Sequence, residues 1–226
     1  MFRFSQVLLF CLLMTACASA VGDVEPDVSH VKIAQACIED REALLALDYE
    51  AFDQDFQGGW RAVSEQPGCM IAAAELIVEY NHQLISNGNP VRKSLPWHAG
   101  QLYASEGETQ KAISLFKQSY APVGNSKSWN LYVDASIAFL EKDRAGFDQK
   151  FKELRDLPKP PNWEQSVKYT QEKWGYTPQW PNNLNVFEAF DRCFEKTYSE
   201  AYGACNRGIR RIDPTEEDSG EPSESP

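Results

Sequence analysis

Apolar residues recur at helical spacing along most of the chain, and no segment shows the sustained apolar–polar alternation of a half-buried strand. A helical pattern begins at Ile33 and is expected to end at Gly58-Gly59, because paired glycines rarely continue a helix. After Pro67-Gly68, apolar residues recur at helical spacing over 71–85. This second helix is predicted to stop at the breaker cluster 87–90.

The second half of the chain continues the helical pattern. Two further helix pairs are predicted between Trp97 and Leu154. Several prolines then open an aromatic stretch over 158–181, which we interpret as irregular. Another helix is marked by aromatic residues three and four positions apart, namely Phe187, Phe190 and Phe194. A last short helix is predicted over 199–210. The pattern therefore predicts an all-α fold.

One segment, 96–122, places small and large residues at the offsets of a helix–turn–helix repeat. It resembles a tetratricopeptide repeat (TPR), whose signature positions are matched by Gly100, Tyr103, Gly107, Ala112 and Phe116. The physical reasons are specific: Gly100 lets the paired helix approach closely and Tyr103 fills the space beside it. Gly107 makes the turn, Ala112 permits a second close contact, and Phe116 packs onto the next unit.

The following segment, 129–158, resembles a degenerate second unit, with Asp143 at the turn and an apolar stripe of Phe147, Phe151 and Leu154. The earlier pair of helices, at about 33–87, is a candidate third hairpin without the landmark residues. Repeat units bury their faces against neighbours, and three or more are typical. The resemblance implies a short TPR-like solenoid of helical hairpins over 33–212, interrupted by the Pro- and Trp-rich segment.

The resemblance also suggests where a partner would bind. In the TPR family, the first helices of successive repeats line a concave surface that holds extended peptides. On this chain that face carries the candidate partner-binding residues Trp97, His98, Gln101, Asn130 and Asp134. The basic clamp that some members use for a C-terminal carboxylate is not evident, so recognition of peptide ends is not implied. Other tryptophans are expected to be packing residues, namely Trp60, Trp129 and Trp163.

Residues 1–20 have the three parts of a secretory signal peptide. Arg3 precedes an apolar run over 7–16, and small residues follow at 18–20. The run is about ten residues, whereas a membrane-spanning helix needs about 20. Cleavage after Ala20 is favoured and would release a periplasmic or secreted protein. The alternative is lipidation of Cys17, which would anchor the protein at the outer membrane. Residues 13–17 resemble a bacterial lipobox, although Met14 stands where Leu, Val or Ile is usual.

Removal of this signal leaves four cysteines, and an even number in an exported chain suggests two disulfides. Four cysteines allow three connectivities. We favour neighbours in sequence, Cys37 with Cys69 and Cys193 with Cys205. The second pair requires the chain between its members to bend, because an unbroken helix would hold them about 18 Å apart. No spacing matches a zinc pattern such as C-x2-C, so no metal is expected.

The formal net charge of the 226-residue chain is −11, or −12 once Arg3 is removed with the signal. A polar linker is expected over 21–32. Residues 213–226 hold six acids and no base, and this tail is expected to be disordered because it lacks large apolar residues. An acidic protein is a poor ligand for nucleic acid, and membrane binding is expected only if Cys17 is lipidated.

Catalytic and cofactor motifs are absent from the sequence. The three histidines are His30 in the linker, His82 on the predicted polar face of a helix, and His98 on the first helix of the repeat. No metal-binding histidine pattern, nucleophile elbow or phosphate loop occurs, so no cofactor is expected. The sequence therefore favours a non-enzymatic module of the bacterial envelope whose partner is another protein or peptide. The rival hypothesis is a small exported enzyme with a site near the repeat groove and the aromatic segment.

Overall fold

In a computed structural model, the chain is described over residues 36–122 and 126–206, and no strand occurs among them. The prediction of an all-α fold is confirmed. Several predictions concern residues outside these ranges: the signal peptide at 1–20 with Cys17, the linker at 21–32 with His30, and the tail at 213–226.

The elements follow one another in a simple order. They are α1 (Arg41–Leu45), a π-helical turn (Glu50–Gln54), α2 (Gly59–Ser64), α3 (Met70–Ser86), α4 (Ser94–Ser105), α5 (Thr109–Gln118), α6 (Lys127–Glu141), α7 (Arg144–Arg155), α8 (Trp163–Trp174), α9 (Leu184–Arg192) and α10 (Tyr198–Tyr202).

The first predicted helix is divided into α1 and the π-helical turn. Each piece has its own start signal, since Asp40 accepts from the Ala43 N–H and Asp48 accepts from the Ala51 N–H. Gly59 begins α2 instead of ending a helix. It has a φ of 54°, and a Cβ there would lie 2.1 Å from the carbonyl oxygen of Phe52, so only glycine fits.

Helices α4 and α5 pack closely against each other, with the close approach that was expected at Gly100. A Cβ on Gly100 would lie 2.6 Å from the ring of Phe116, so the two helices approach as closely as the glycine allows. Gly107 makes the connecting turn with a φ of 79°. Ala112 and Phe116 are completely buried. Helices α6 and α7 form the next hairpin, and Asp143 caps α7 by accepting from the Gly146 N–H at 2.9 Å.

The aromatic stretch is not irregular throughout, because it contains α8. No proline occurs between Pro161 and Pro178, which leaves room for a helix. Trp163 and Thr170 lie two turns apart and are the buried residues of α8. Gly175 ends the helix in the left-handed conformation. The sequence-based interpretation of 158–181 was therefore wrong over 163–174.

The C-terminal part is a compact unit of α9 and α10. Phe187 and Phe190 are fully buried, which confirms α9. The last helix ends at Tyr202 rather than at 210. It begins with a reciprocal capping box, in which Thr197 accepts from the Glu200 N–H while the Glu200 carboxylate accepts from the Thr197 N–H.

Both favoured disulfides are present. The Cα atoms of Cys37 and Cys69 lie 5.6 Å apart, and those of Cys193 and Cys205 lie 6.5 Å apart. The chain bends between α9 and α10, as the second pair requires. Two disulfides in one small domain indicate an oxidising, exported environment.

Two hydrophobic clusters fill the interior. One joins the N-terminal segments to α3 and α4, and the other joins α4–α7 to the C-terminal unit. Helix α4 contributes to both, with Leu95 and Ala99 in the first cluster and Trp97 and Tyr103 in the second. Because both sides of α4 are covered, little of this helix is left to face a partner.

Candidate functional site

Trp97, the first of the candidate partner-binding residues, lies in the core. Its side chain is only 4 % exposed. The indole stacks on the ring of Phe116 with centroids 4.3 Å apart and meets Trp129 edge-on at 5.1 Å. Such contacts stabilise the hairpins, and they leave almost none of the indole at the surface.

Asn130 and Asp134 hold neighbouring elements together. The Asn130 side chain forms two hydrogen bonds with the backbone of Ala121, accepting at 2.8 Å and donating at 3.0 Å. The Asp134 carboxylate accepts from the Tyr120 hydroxyl at 2.5 Å and pairs with Lys150 at 3.3 Å. The polar atoms that the repeat resemblance assigned to a partner therefore already have partners within the chain.

Gln101 lies beneath the C-terminal unit. Helix α10 packs directly against α4, and Gln101 of α4 lies near Tyr198 of α10. Burial raises the pKa of the Tyr198 hydroxyl well above its ordinary value, as it does for Tyr132 of α6, which lies beside Tyr202. This side of the hairpins is thus covered by the chain itself.

His98 belongs to a polar network that joins α4 to the π-helical turn. Its Nδ1 lies 2.7 Å from Oδ1 of Asp53, and the indole N–H of Trp60 donates to the same oxygen at 3.0 Å. The other carboxylate oxygen accepts from Gln54 at 2.7 Å. Nearby, the hydroxyls of Tyr49 and Ser94 lie 2.8 Å apart. The network was not predicted, because its acid and its histidine are 45 residues apart in the sequence.

The electrostatics of this network favour an ionised carboxylate. Burial by itself opposes the charge on Asp53, which has no exposed side-chain surface. The hydrogen bond and charge of His98, together with the bond from Trp60, outweigh burial and lower the pKa of Asp53 from 3.8 to about 2. The His98 side chain is 21 % exposed. An imidazole fixed by a carboxylate in this way can exchange protons through its other nitrogen, or it can serve only to hold two elements together.

An open groove of about 530 Å³ lies on α3, away from His98. Its walls include His82, Glu75 and the ion pair between Arg41 and Glu79, and Val78 forms part of its floor. His82 is exposed, as predicted for the polar face of this helix. Within the described ranges, no set of three or more His, Cys, Asp or Glu side chains is arranged to hold a metal ion.

The most exposed cluster of aromatic rings lies at the end of α8 and just beyond it. Tyr169 is 54 % exposed, Trp174 38 % and Tyr176 43 %. The rings of Tyr169 and Trp174 meet edge-on with centroids 5.6 Å apart, and the ammonium group of Lys173 lies within 6 Å of both. We call Tyr169, Lys173, Trp174 and Tyr176 the aromatic face of α8. The aromatic stretch was evident in the sequence, but α8, the helix that carries Tyr169 and Trp174, was not predicted.

None of the described helices is long and apolar enough to cross a membrane. Comparisons with family models, with curated proteins and with solved structures give no significant match.

Proposed function

We propose that this protein is an exported, non-enzymatic module that binds another protein or peptide through the aromatic face of α8. The observation that carries this proposal is the exposure of two large rings on α8, Tyr169 and Trp174, and of Tyr176 just beyond it, while Trp163 and Thr170 are the buried residues of the helix. Tyrosine and tryptophan dominate the hot spots of protein interfaces because they bury a large area at little cost in conformational entropy. A cluster of such rings at the surface is therefore the best-supported binding site on the chain.

The helical hairpins serve as the scaffold in this proposal. The close contact of Gly100 with Phe116 supports the TPR-like interpretation of α4 and α5. The concave face expected from that resemblance is a less favourable binding site, because Asn130 and Asp134 have partners within the chain and Trp97 is buried. The predicted signal peptide and the two disulfides support a location in the periplasm or outside the cell.

A capture experiment with matched variants tests the proposal. The mature protein, the double variant Tyr169→Ser/Trp174→Ser and the control Ile85→Ser/Val91→Ser are immobilised and exposed to the native envelope fraction. The control removes two exposed apolar side chains, 46 % and 70 % exposed, from the last turn of α3 and from the connection that follows it. A specific partner should be retained by the mature protein and the control and reduced at least tenfold by the double variant. Equal retention by all three would contradict the proposal.

A second candidate, a small exported enzyme, is favoured by one observation, the contact of His98 with Asp53. The same observation fits a structural role, since every described partner of the carboxylate lies within the chain and the open groove lies elsewhere, around His82. Hydrolysis of chromogenic esters, phosphates and glycosides by the mature protein and by His98→Gln distinguishes the two. Turnover that is lost in the variant would favour the enzyme, and activity in neither protein would favour the binding module.

A further inference from the structure

Resting on this proposed function, we propose that the chain's own acidic C-terminal segment, residues 213–226, binds the aromatic face of α8 as an internal ligand that competes with the partner.

The first support is the place where the segment leaves the folded domain. The described chain ends at Asn206, whose side chain accepts from the Asn185 amide at 2.8 Å, at the start of α9. The Cys193–Cys205 disulfide and a hydrogen bond from Arg192 to the Cys205 carbonyl hold this end in place. The described chain therefore ends beside the start of α9, next to the segment that connects α8 to α9.

The second support is reach. Trp174 and Asn185 are eleven positions apart in the sequence, so the aromatic face lies at most about 40 Å from the exit point at roughly 3.5 Å per position. The 20 residues that follow Asn206 span up to about 70 Å when extended. The acidic segment can therefore lie across the face without any change in the domain.

The third support is charge. Residues 213–226 carry six acids and no base. The segment 159–176 holds three lysines and two glutamates, a net charge of +1 in a chain whose total is −11. Lys168 makes a long contact with Glu172 at 3.8 Å, whereas Lys173 has no ion pair within the described part of the chain. The ammonium group of Lys173 lies within 6 Å of the centroids of both Tyr169 and Trp174, so a carboxylate bound on these rings can pair with it.

The fourth support is the apolar chemistry of the segment. Its larger apolar groups are the proline rings of Pro214, Pro222 and Pro226. Proline-containing segments bind aromatic surfaces because they are already extended and lose little entropy on binding. A segment of acids and prolines matches a surface of aromatic rings with a lysine beside them. Binding of this kind needs no secondary structure in the tail.

Hydrogen–deuterium exchange on the mature, disulfide-bonded chain tests the internal contact. The comparison is a variant of equal length in which the six acids of 213–226 become the corresponding amides. We expect the α8 amides to exchange several-fold faster in the variant than in the unaltered chain at low salt. Salt at about 0.5 M should also speed their exchange in the unaltered chain, because it screens the contact between the acids and Lys173. The amides of α3 serve as the internal reference, and their exchange should not change. Equal exchange of α8 in all conditions would overturn the proposal.

A second measurement identifies the site and the molecule that supplies the tail. A fluorescent peptide of residues 213–226 is titrated into a chain ending at Ile212. Tyr169→Ser/Trp174→Ser should weaken peptide binding at least fivefold, and Ile85→Ser/Val91→Ser should leave it unchanged.

Protection of α8 in the full chain should not depend on protein concentration. Protection that appears only with dimer formation would assign the tail to a second copy and overturn the internal contact. Failure of these tests with an intact capture result would leave the proposed function standing.

Discussion

The replacement Asp53→Asn tests whether the buried network between the π-helical turn and α4 stabilises the fold through its charge. Asparagine keeps the shape of the side chain but removes the negative charge that meets His98 at 2.7 Å. The amide also places a donor group where the carboxylate accepts from Gln54 or Trp60. The control is Glu50→Gln, an exposed acid in the same turn.

The magnitude follows from the pKa of Asp53, which is 3.8 in its ordinary state and about 2 in the fold. A group with a lowered folded pKa stabilises the fold fully above its unfolded pKa and loses this contribution as the pH falls through the folded value. The difference corresponds to about 2–3 kcal/mol at neutral pH, to roughly half of that at pH 3, and to a small remainder at pH 2.

Urea unfolding followed by far-UV circular dichroism, with the disulfides intact, measures this contribution between pH 7 and pH 2. Asp53→Asn should lower the free energy of unfolding by about 2–3 kcal/mol at pH 7 and flatten its dependence on pH below 4. Glu50→Gln should leave both unchanged. A loss that stays the same at pH 7 and pH 2 would refute the reasoning, because it would show that the charge of Asp53 does not contribute.

Three further variants test the packing of the domain. Gly100→Ala should lower the free energy of unfolding by about 1–2 kcal/mol in thermal melts, because the new Cβ meets the Phe116 ring and this outweighs the helix propensity of alanine; a more stable variant would contradict the close contact. Cys193→Ser/Cys205→Ser should cost about 3 kcal/mol through the lost loop closure, and unchanged unfolding in urea would show that the disulfide contributes nothing. Lys142→Met removes an ammonium group that donates to two carbonyls after α9, so it should lower the free energy of unfolding in urea by about 1 kcal/mol. Lys117→Met, the control, should leave this free energy unchanged.

The parts of the fold that the sequence predicts are those in which a local rule and the tertiary contact agree. Gly100 illustrates this agreement, because the pattern predicted a close approach of the paired helix there, and a Cβ on Gly100 would meet the Phe116 ring of that helix. The prediction failed over 163–174, because clustered prolines suggested irregular structure throughout 158–181. The prolines occupy only the ends of that stretch, and α8 forms between them with a spacing of seven residues from Trp163 to Thr170.

The candidate site was harder to predict than the fold, for two physical reasons. The residues of the repeat groove were predicted from their positions in the repeat. The side chain of Asn130, however, is hydrogen-bonded to the backbone of Ala121, a contact that no pattern along the chain reveals. The contact of His98 with Asp53 likewise depends on folding of the N-terminal segments over α4. The exposure of Tyr169 became evident only once α8 and its buried side were known.

Site-specific photo-crosslinking in the producing cells tests the central claim, that the aromatic face of α8 is the binding surface. A photoreactive phenylalanine replaces Tyr169 in one protein and Tyr120 in another; Tyr120 is also exposed and lies beside Asp134 of the groove expected from the repeat. We expect adducts, with a partner or with residues 213–226, from position 169 and none from position 120. Adducts from position 120 and none from position 169 would contradict this claim.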